Sequence, residues 1–182
     1  DKGSRSMKYV VLLRGINVGG NNKVSMSDLK QALQDAGFTD VVTYINSGNI
    51  VLTSELPTKA VNNTVEETIK QTFGLDVPTL TLAKPDFLRI ADELPTNWTN
   101  DSEMRCDCFF LWQGIDTPDV LENLTIKPDI DRVKYVAGAV FWSVDRKNVT
   151  RSGLAKIIGT ATYKQITIRN ANTVRKLVAL LA

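Results

Sequence analysis

The stretch VVTYINSGNIVLTSELPTKAVNNTVEETIKQTFG, residues 41–74, decides the fold. It opens with two β-rich runs, Val41 to Asn46 and Asn49 to Thr53. Ser47 and Gly48 separate them, which reads as a hairpin with a two-residue loop. Pro57 then introduces a change of period. Val61, Val65, Ile69 and Phe73 recur at helical spacing and Gly74 follows, so a helix is predicted over 58–73. Towards the N-terminus, Lys8 to Arg14 is an apolar strand, followed by a Gly/Asn-rich loop, Gly15 to Lys23. A helix is expected from Ser25, with Met26, Leu29, Leu33 and Ala36 on one face and Gly37 at its end. Ser25 suits the N-cap and Asp28 the positive end of the helix dipole. Val24 and Leu29 can form a hydrophobic staple. Towards the C-terminus, Thr79 to Ala83 is a further strand. The resulting order, βαββαβ, is the ferredoxin-like split βαβ.

The second half repeats that order more loosely. A linking helix, Pro85 to Leu94, and a polar loop lead to a strand, Arg105 to Trp112. A short helix near Asp119 to Leu124 is expected next. A hairpin follows, Arg132 to Ala137 and Val140 to Val144, turning at Gly138. Then come a helical stretch from Val149 to Ile158, a strand from Tyr163 to Ile168, and a last helix from Asn172 to Leu181, with Asn170 or Asn172 as its cap. The expectation is an α+β protein of two ferredoxin-like subdomains, with antiparallel sheets, helices on one face, and a C-terminal helix. Residues 1–6 read as an expression-tag remnant, 7–84 as the first subdomain, 85–104 as the link, and 105–182 as the second subdomain.

Composition excludes several chemistries. The chain has 182 residues, 43% hydrophobic and 23% charged, with a mean hydropathy of −0.10, as in ordinary globular domains. It contains no histidine, so histidine-based triads and histidine-bearing zinc sites are impossible. No apolar run approaches a membrane span. No secretory pattern follows Met7, so a cytoplasmic location is expected. Cys106 and Cys108 share one face of a strand and lack the Cys-x-x-Cys spacing. Buried free thiols is one reading of them, and a metal or redox pair the other. The acidic residues show no metal-ligating spacing, and nothing calls for a metal or a cofactor.

Charge is unevenly placed. Residues 85–131 hold eleven acidic and three basic residues. Residues 146–182 hold eight basic residues (Arg146, Lys147, Arg151, Lys156, Lys164, Arg169, Arg175 and Lys176) and no acidic one. Such a stretch suits an anion: phosphate, nucleotide or nucleic acid. The alternative is a basic tail packed against the acidic segment of the same molecule.

Three motifs are candidates for the site. The first is Arg14-Gly15-Ile16-Asn17-Val18-Gly19-Gly20, with Lys23 beyond it. A Gly-rich turn between strand and helix can present N–H groups to an anion. It is neither a Walker A loop nor a Rossmann fingerprint. The second is Tyr44-Ile45-Asn46-Ser47-Gly48-Asn49. The inferred fold puts this hairpin at the end of the first strand, so Arg14, Asn17, Asn46, Ser47 and Asn49 could face one ligand. The third is Arg151, Ser152, Lys156, Thr162, Arg169 and Asn170. Ser152 and Lys156, four apart, could meet on a helix.

Leu12 to Gly20, Met26 and Leu29, Thr43 to Asn49, Thr167 to Asn170, and Thr173-Val174 together resemble the bacterial domain-of-unknown-function family 1697. Where Asn46 stands, that family more often has glutamine. The resemblance implies a cytoplasmic bacterial protein with paired ferredoxin-like halves, and it implies no activity. From the residues, the leading expectation is a protein that binds a phosphorylated or polyanionic ligand, a nucleotide or nucleic acid. The rivals are a metal-independent, histidine-free enzyme acting on a small phosphorylated substrate, and a partner-binding module.

Overall fold

The computed structural model describes residues 5–182, so residues 1–4 of the tag reading lie outside the described residues. The chain divides into two compact units at Phe87/Leu88, inside the helix α3, Lys84–Asp92; Ala179–Ala182 group with the first unit.

The first unit contains β1 (Met7–Leu13), α1 (Met26–Asp35), β2 (Thr39–Tyr44), β3 (Asn49–Ser54), α2 (Thr58–Phe73) and β4 (Thr79–Ala83). Its antiparallel sheet has the order β2-β3-β1-β4, the ferredoxin-like arrangement. The helices form for the expected reasons. The Ser25 hydroxyl accepts a hydrogen bond from Asp28 N (3.3 Å), and Gly74 ends α2 in the left-handed conformation (φ +70°). Val61, Val65 and Ile69 of α2 are fully buried with Leu29 and Leu33 of α1 against Val11, Leu13, Ile50 and Leu52. Each such side chain contributes roughly 1.5–3 kcal/mol by leaving water.

The second unit contains β5 (Met104–Leu111), β6 (Asp131–Val136), β7 (Ala139–Asp145), β8 (Ile166–Asn170) and all but the last residues of α4 (Ala171–Leu180). Its sheet order, β6-β7-β5-β8, repeats the first. The crossovers differ from expectation. The helix expected near Asp119 to Leu124 is a 3₁₀ segment, Pro118–Asn123. The helical stretch expected from Val149 to Ile158 is two 3₁₀ segments, Arg146–Arg151 and Leu154–Ile157, interrupted at Ser152-Gly153. The strand expected from Tyr163 begins only at Ile166, after a further 3₁₀ turn, Thr162–Gln165. Glycine at 153 and 159 disfavours a continuous α-helix here. A Cβ at Gly153 would lie 1.6 Å from the Thr125 carbonyl oxygen, so this point of close approach admits only glycine. Leu154 and Ile157, three apart, still bury one 3₁₀ face against Phe109, Val140 and Trp142.

One further correction concerns the 47–48 hairpin. Its loop has four residues, Ile45 to Gly48, rather than two. Ile45 takes φ +49°, which a β-branched residue adopts at a cost and which its sequence context does not signal. Gly48 takes φ +86°, and a Cβ there would meet Leu13 Cβ at 2.6 Å.

Candidate functional site

In the first unit, β1 and β2 run parallel with β3 between them, so the end of β1 and the 45–48 loop meet. Leu13 N donates to the Gly48 carbonyl (2.9 Å), and Arg14 N to the Pro78 carbonyl (3.0 Å). The loop after β1 is itself a small hairpin. Val18 and Asn21 pair across Gly19 and Gly20, whose φ values of +56° and +79° suit a type I′ turn. Asn17 joins this loop to its neighbours. Its side-chain nitrogen donates to the Val24 carbonyl (3.0 Å) and the Asn46 carbonyl (2.8 Å), and its oxygen accepts from Val24 N (2.8 Å). Asn49, fully buried, donates to the Tyr44 carbonyl (3.0 Å) and the Ser47 hydroxyl (2.8 Å). Asn17 and Asn49 therefore build the loops, and both amide hydrogens of each are committed. Gly15 accepts from Asn22 Nδ2 (3.0 Å). Arg14 and Tyr44 are half-buried, and Lys23 and Ser47 are exposed. Beside these loops an open groove of about 520 Å³ is lined by Asn17, Gly20, Lys23, Ser25, Ser27 and Asn46.

In the second unit, the site residues lie on the crossover from β7 to β8. This crossover starts where Asp145 pairs with Met104 and ends where Ile166 pairs with Leu111. It therefore passes along the whole of β5, roughly 25 Å at strand rise. Its centre is held by Asp131. That carboxylate accepts from Ser152 Oγ (2.5 Å), Gly153 N (2.9 Å), Lys127 N (2.9 Å) and Trp142 Nε1 (3.1 Å). Burial works to raise its pKa, but these four donors outweigh burial and hold it below the usual carboxylate range. The one signal of Asp131 in the sequence is a carboxylate heading a strand after the Pro128 turn.

Ser152 is thus buried and committed to Asp131, while Lys156 is exposed, so the two do not meet as a helical pair. Thr162 is buried. Arg169, on β8, is buried too; its Nη1 donates to Thr167 Oγ1 (2.8 Å) and the Ile168 carbonyl (2.9 Å), and burial pulls its pKa down to about 10. Asn170 caps α4, accepting from Thr173 N (3.0 Å). What stays on the surface is Lys147, Arg151, Lys156 and Lys164. Among the described residues none of these four lies within ion-pair distance of a carboxylate; Arg151 bonds only to Asn148 Oδ1 (2.7 Å). Arg146 is exposed as well and donates to the Asp101 carbonyl (3.0 Å). The acidic crossover from β5 to β6 shares the core beneath, through Val120 and Leu121. Among the described residues no ion pair joins these four cations to the acidic segment, the alternative that the sequence left open.

A family model matches residues 7–142, from β1 into β7. The chain belongs to the family described as Protein of unknown function (DUF1697). The DUF1697 match contains the β1 and 45–48 loops, and the basic crossover lies beyond its end. The chain is also similar to a solved structure described as that of conserved bacterial protein SP0830 from Streptococcus pneumoniae. Identity is 31%, coverage is 97% of this chain and 99% of that one, and the TM-score is 0.84. No curated protein matches the chain.

The remaining chemistry of this DUF1697 chain is quiet. Burial, then the neighbouring Asp107 charge, pushes the Cys106 thiol up to about 11, and burial pushes Cys108 up as well. Both are therefore protonated near neutrality and poor nucleophiles. Among the described residues no group of three potential ligands could hold a metal ion, and no helix is long and apolar enough to cross a membrane.

Proposed function

We propose that this protein binds a polyanion, with nucleic acid as the leading class, along the β7–β8 crossover. One observation carries the reading. Lys147, Arg151, Lys156 and Lys164 are exposed, unpaired with carboxylates, and distributed along a segment that traverses the sheet from end to end. A single phosphate can be held by two or three cations within a few ångströms. Cations strung over roughly 25 Å suit a ligand whose charge repeats along its length. The test is to replace all four by alanine and measure binding of a labelled single-stranded oligonucleotide and of inorganic polyphosphate. The reading expects both to weaken at least tenfold while the thermal midpoint is kept. Unchanged affinity for both contradicts it.

A second reading is favoured by the groove beside Lys23. Its volume, about 520 Å³, falls within the usual range for small-ligand pockets. It would hold a small anionic ligand, the setting that a metal-independent enzyme would use. Its test is a thermal-shift screen of nucleotides and sugar phosphates against wild type, Lys23→Ala and Arg14→Ala. A midpoint rise lost in both variants favours the groove over the crossover.

A further inference from the structure

We infer that Ile158 is a base-contacting residue and that the polyanion is a single-stranded nucleic acid. The inference rests on the polyanion reading and deepens it. Within the basic crossover the chain displays one large apolar side chain. Ile158 is 66% exposed, although its neighbour Ile157 is 6% exposed and packed in the core. The backbone holds it out. Ile158 has φ −64° and ψ 129°, and Gly159 follows at φ +91°. Thr160 N donates to the Ile157 carbonyl (3.1 Å), and Thr160 Oγ1 donates to the same oxygen (2.6 Å). This is a type II turn with glycine where a left-handed residue is required. Ile158 is therefore presented at the outer corner of a closed turn, and little backbone freedom is lost when something packs on it.

Its surroundings select the partner. Lys156 precedes the turn and Lys164 follows it, both exposed. An apolar knob between cations fits a ligand that alternates phosphates with flat apolar faces. Single-stranded nucleic acid exposes such faces, and a side chain can pack on a splayed base while cations hold the backbone. A duplex keeps its base faces stacked, and opening a step costs energy. Polyphosphate offers Ile158 nothing. An anionic lipid surface offers it an acyl boundary, but interfacial anchoring draws on a broad apolar face, and the other exposed apolar residues beside the turn are only Ala155 and Ala161.

The experiment compares wild type, Ile158→Ser and Ile158→Leu against four probes: a mixed-sequence single-stranded oligonucleotide, its duplex, inorganic polyphosphate, and vesicles rich in phosphatidylglycerol. Thermal midpoints confirm that the variants stay folded. Ile158→Ser is expected to weaken single-strand binding by about three- to tenfold, as partial loss of a buried isoleucine contact implies, with polyphosphate affinity within about twofold of wild type. Ile158→Leu is expected to bind the single strand nearly as wild type does. Equal single-strand affinity in Ile158→Ser and wild type overturns the inference and leaves the polyanion reading standing. A loss confined to vesicles or to duplex overturns it in favour of that ligand. Failure of wild type to bind any of the polyanions overturns both.

Discussion

The two sheets have one strand order, and what spans them differs. Sheet one is crossed by α-helices of 10 and 16 residues, sheet two by 3₁₀ segments of at most 6. The helices satisfy their own backbone and need only an apolar face to dock. The short 3₁₀ crossovers dock Val120, Leu154 and Ile157, and carboxylate hydrogen bonds add to that anchoring. Asp131 ties together Lys127, Trp142, Ser152 and Gly153, and Asp116 accepts from Tyr135 Oη and Gly138 N (both 2.8 Å). The crossovers are thus docked by apolar helix faces in one unit, and in the other by apolar 3₁₀ residues together with two carboxylates, Asp131 buried and Asp116 half-buried. Freed from a helical period, the second crossover can leave its cations on the surface.

The largest expected effect probes that contrast directly. Asp131→Ala strands four donors, so it should cost about 3–5 kcal/mol and broaden or split the unfolding transition. Denaturant titration followed by tryptophan fluorescence reads this, because Trp142 is one of the four. A loss under about 1 kcal/mol would show that the carboxylate does not hold the crossover. In the first unit, Gly48→Ala meets both a left-handed backbone and Leu13 Cβ, and should cost about 2–3 kcal/mol. Gly74→Ala has a left-handed backbone but open space, and should cost about 1 kcal/mol. Equal costs would show that the contact with Leu13 is relieved by a small shift. Ser25→Ala removes the α1 cap and should cost about 1 kcal/mol by the same titration.

The smallest effect is on pH. The folded pKa of Asp131 lies below its unfolded value, so its stabilising contribution is present above the unfolded pKa and disappears as pH falls through the lower folded one. The stability gap between wild type and Asp131→Asn should therefore narrow only below about pH 4. Asp107 has the opposite sign. Burial raises it, the Arg105 charge and hydrogen bond oppose that only in part, and its protonation with falling pH relieves a cost. A gap for Asp131→Asn that narrows already near neutrality would contradict the assignment.

The first unit was legible because its signals are local. The apolar spacing of Val61, Val65 and Ile69 belongs to one period, and Ser25, Gly37 and Gly74 mark where helices start or stop. The second unit was legible in its strands and less so in its crossovers. Leu154 and Ile157 are three apart, a spacing that α and 3₁₀ turns share, and the choice between them rests on Gly153 packing against Thr125. The candidate site was legible as a concentration of charge. Nothing local in the sequence marks Ser152 and Arg169 as interior or Lys156 and Lys164 as surface. That sorting follows from the Asp131 hydrogen bonds and from the place of β8 beside β5.

The central claim is that repeated charge along the β7–β8 crossover meets repeated charge on a ligand. Its most direct test is the salt dependence of wild-type affinity for a short single-stranded oligonucleotide. Four phosphate contacts predict a slope of about −3 in log affinity against log salt, or about a fiftyfold loss between roughly 50 and 200 mM. A slope near −1, or no binding at low salt, would contradict it.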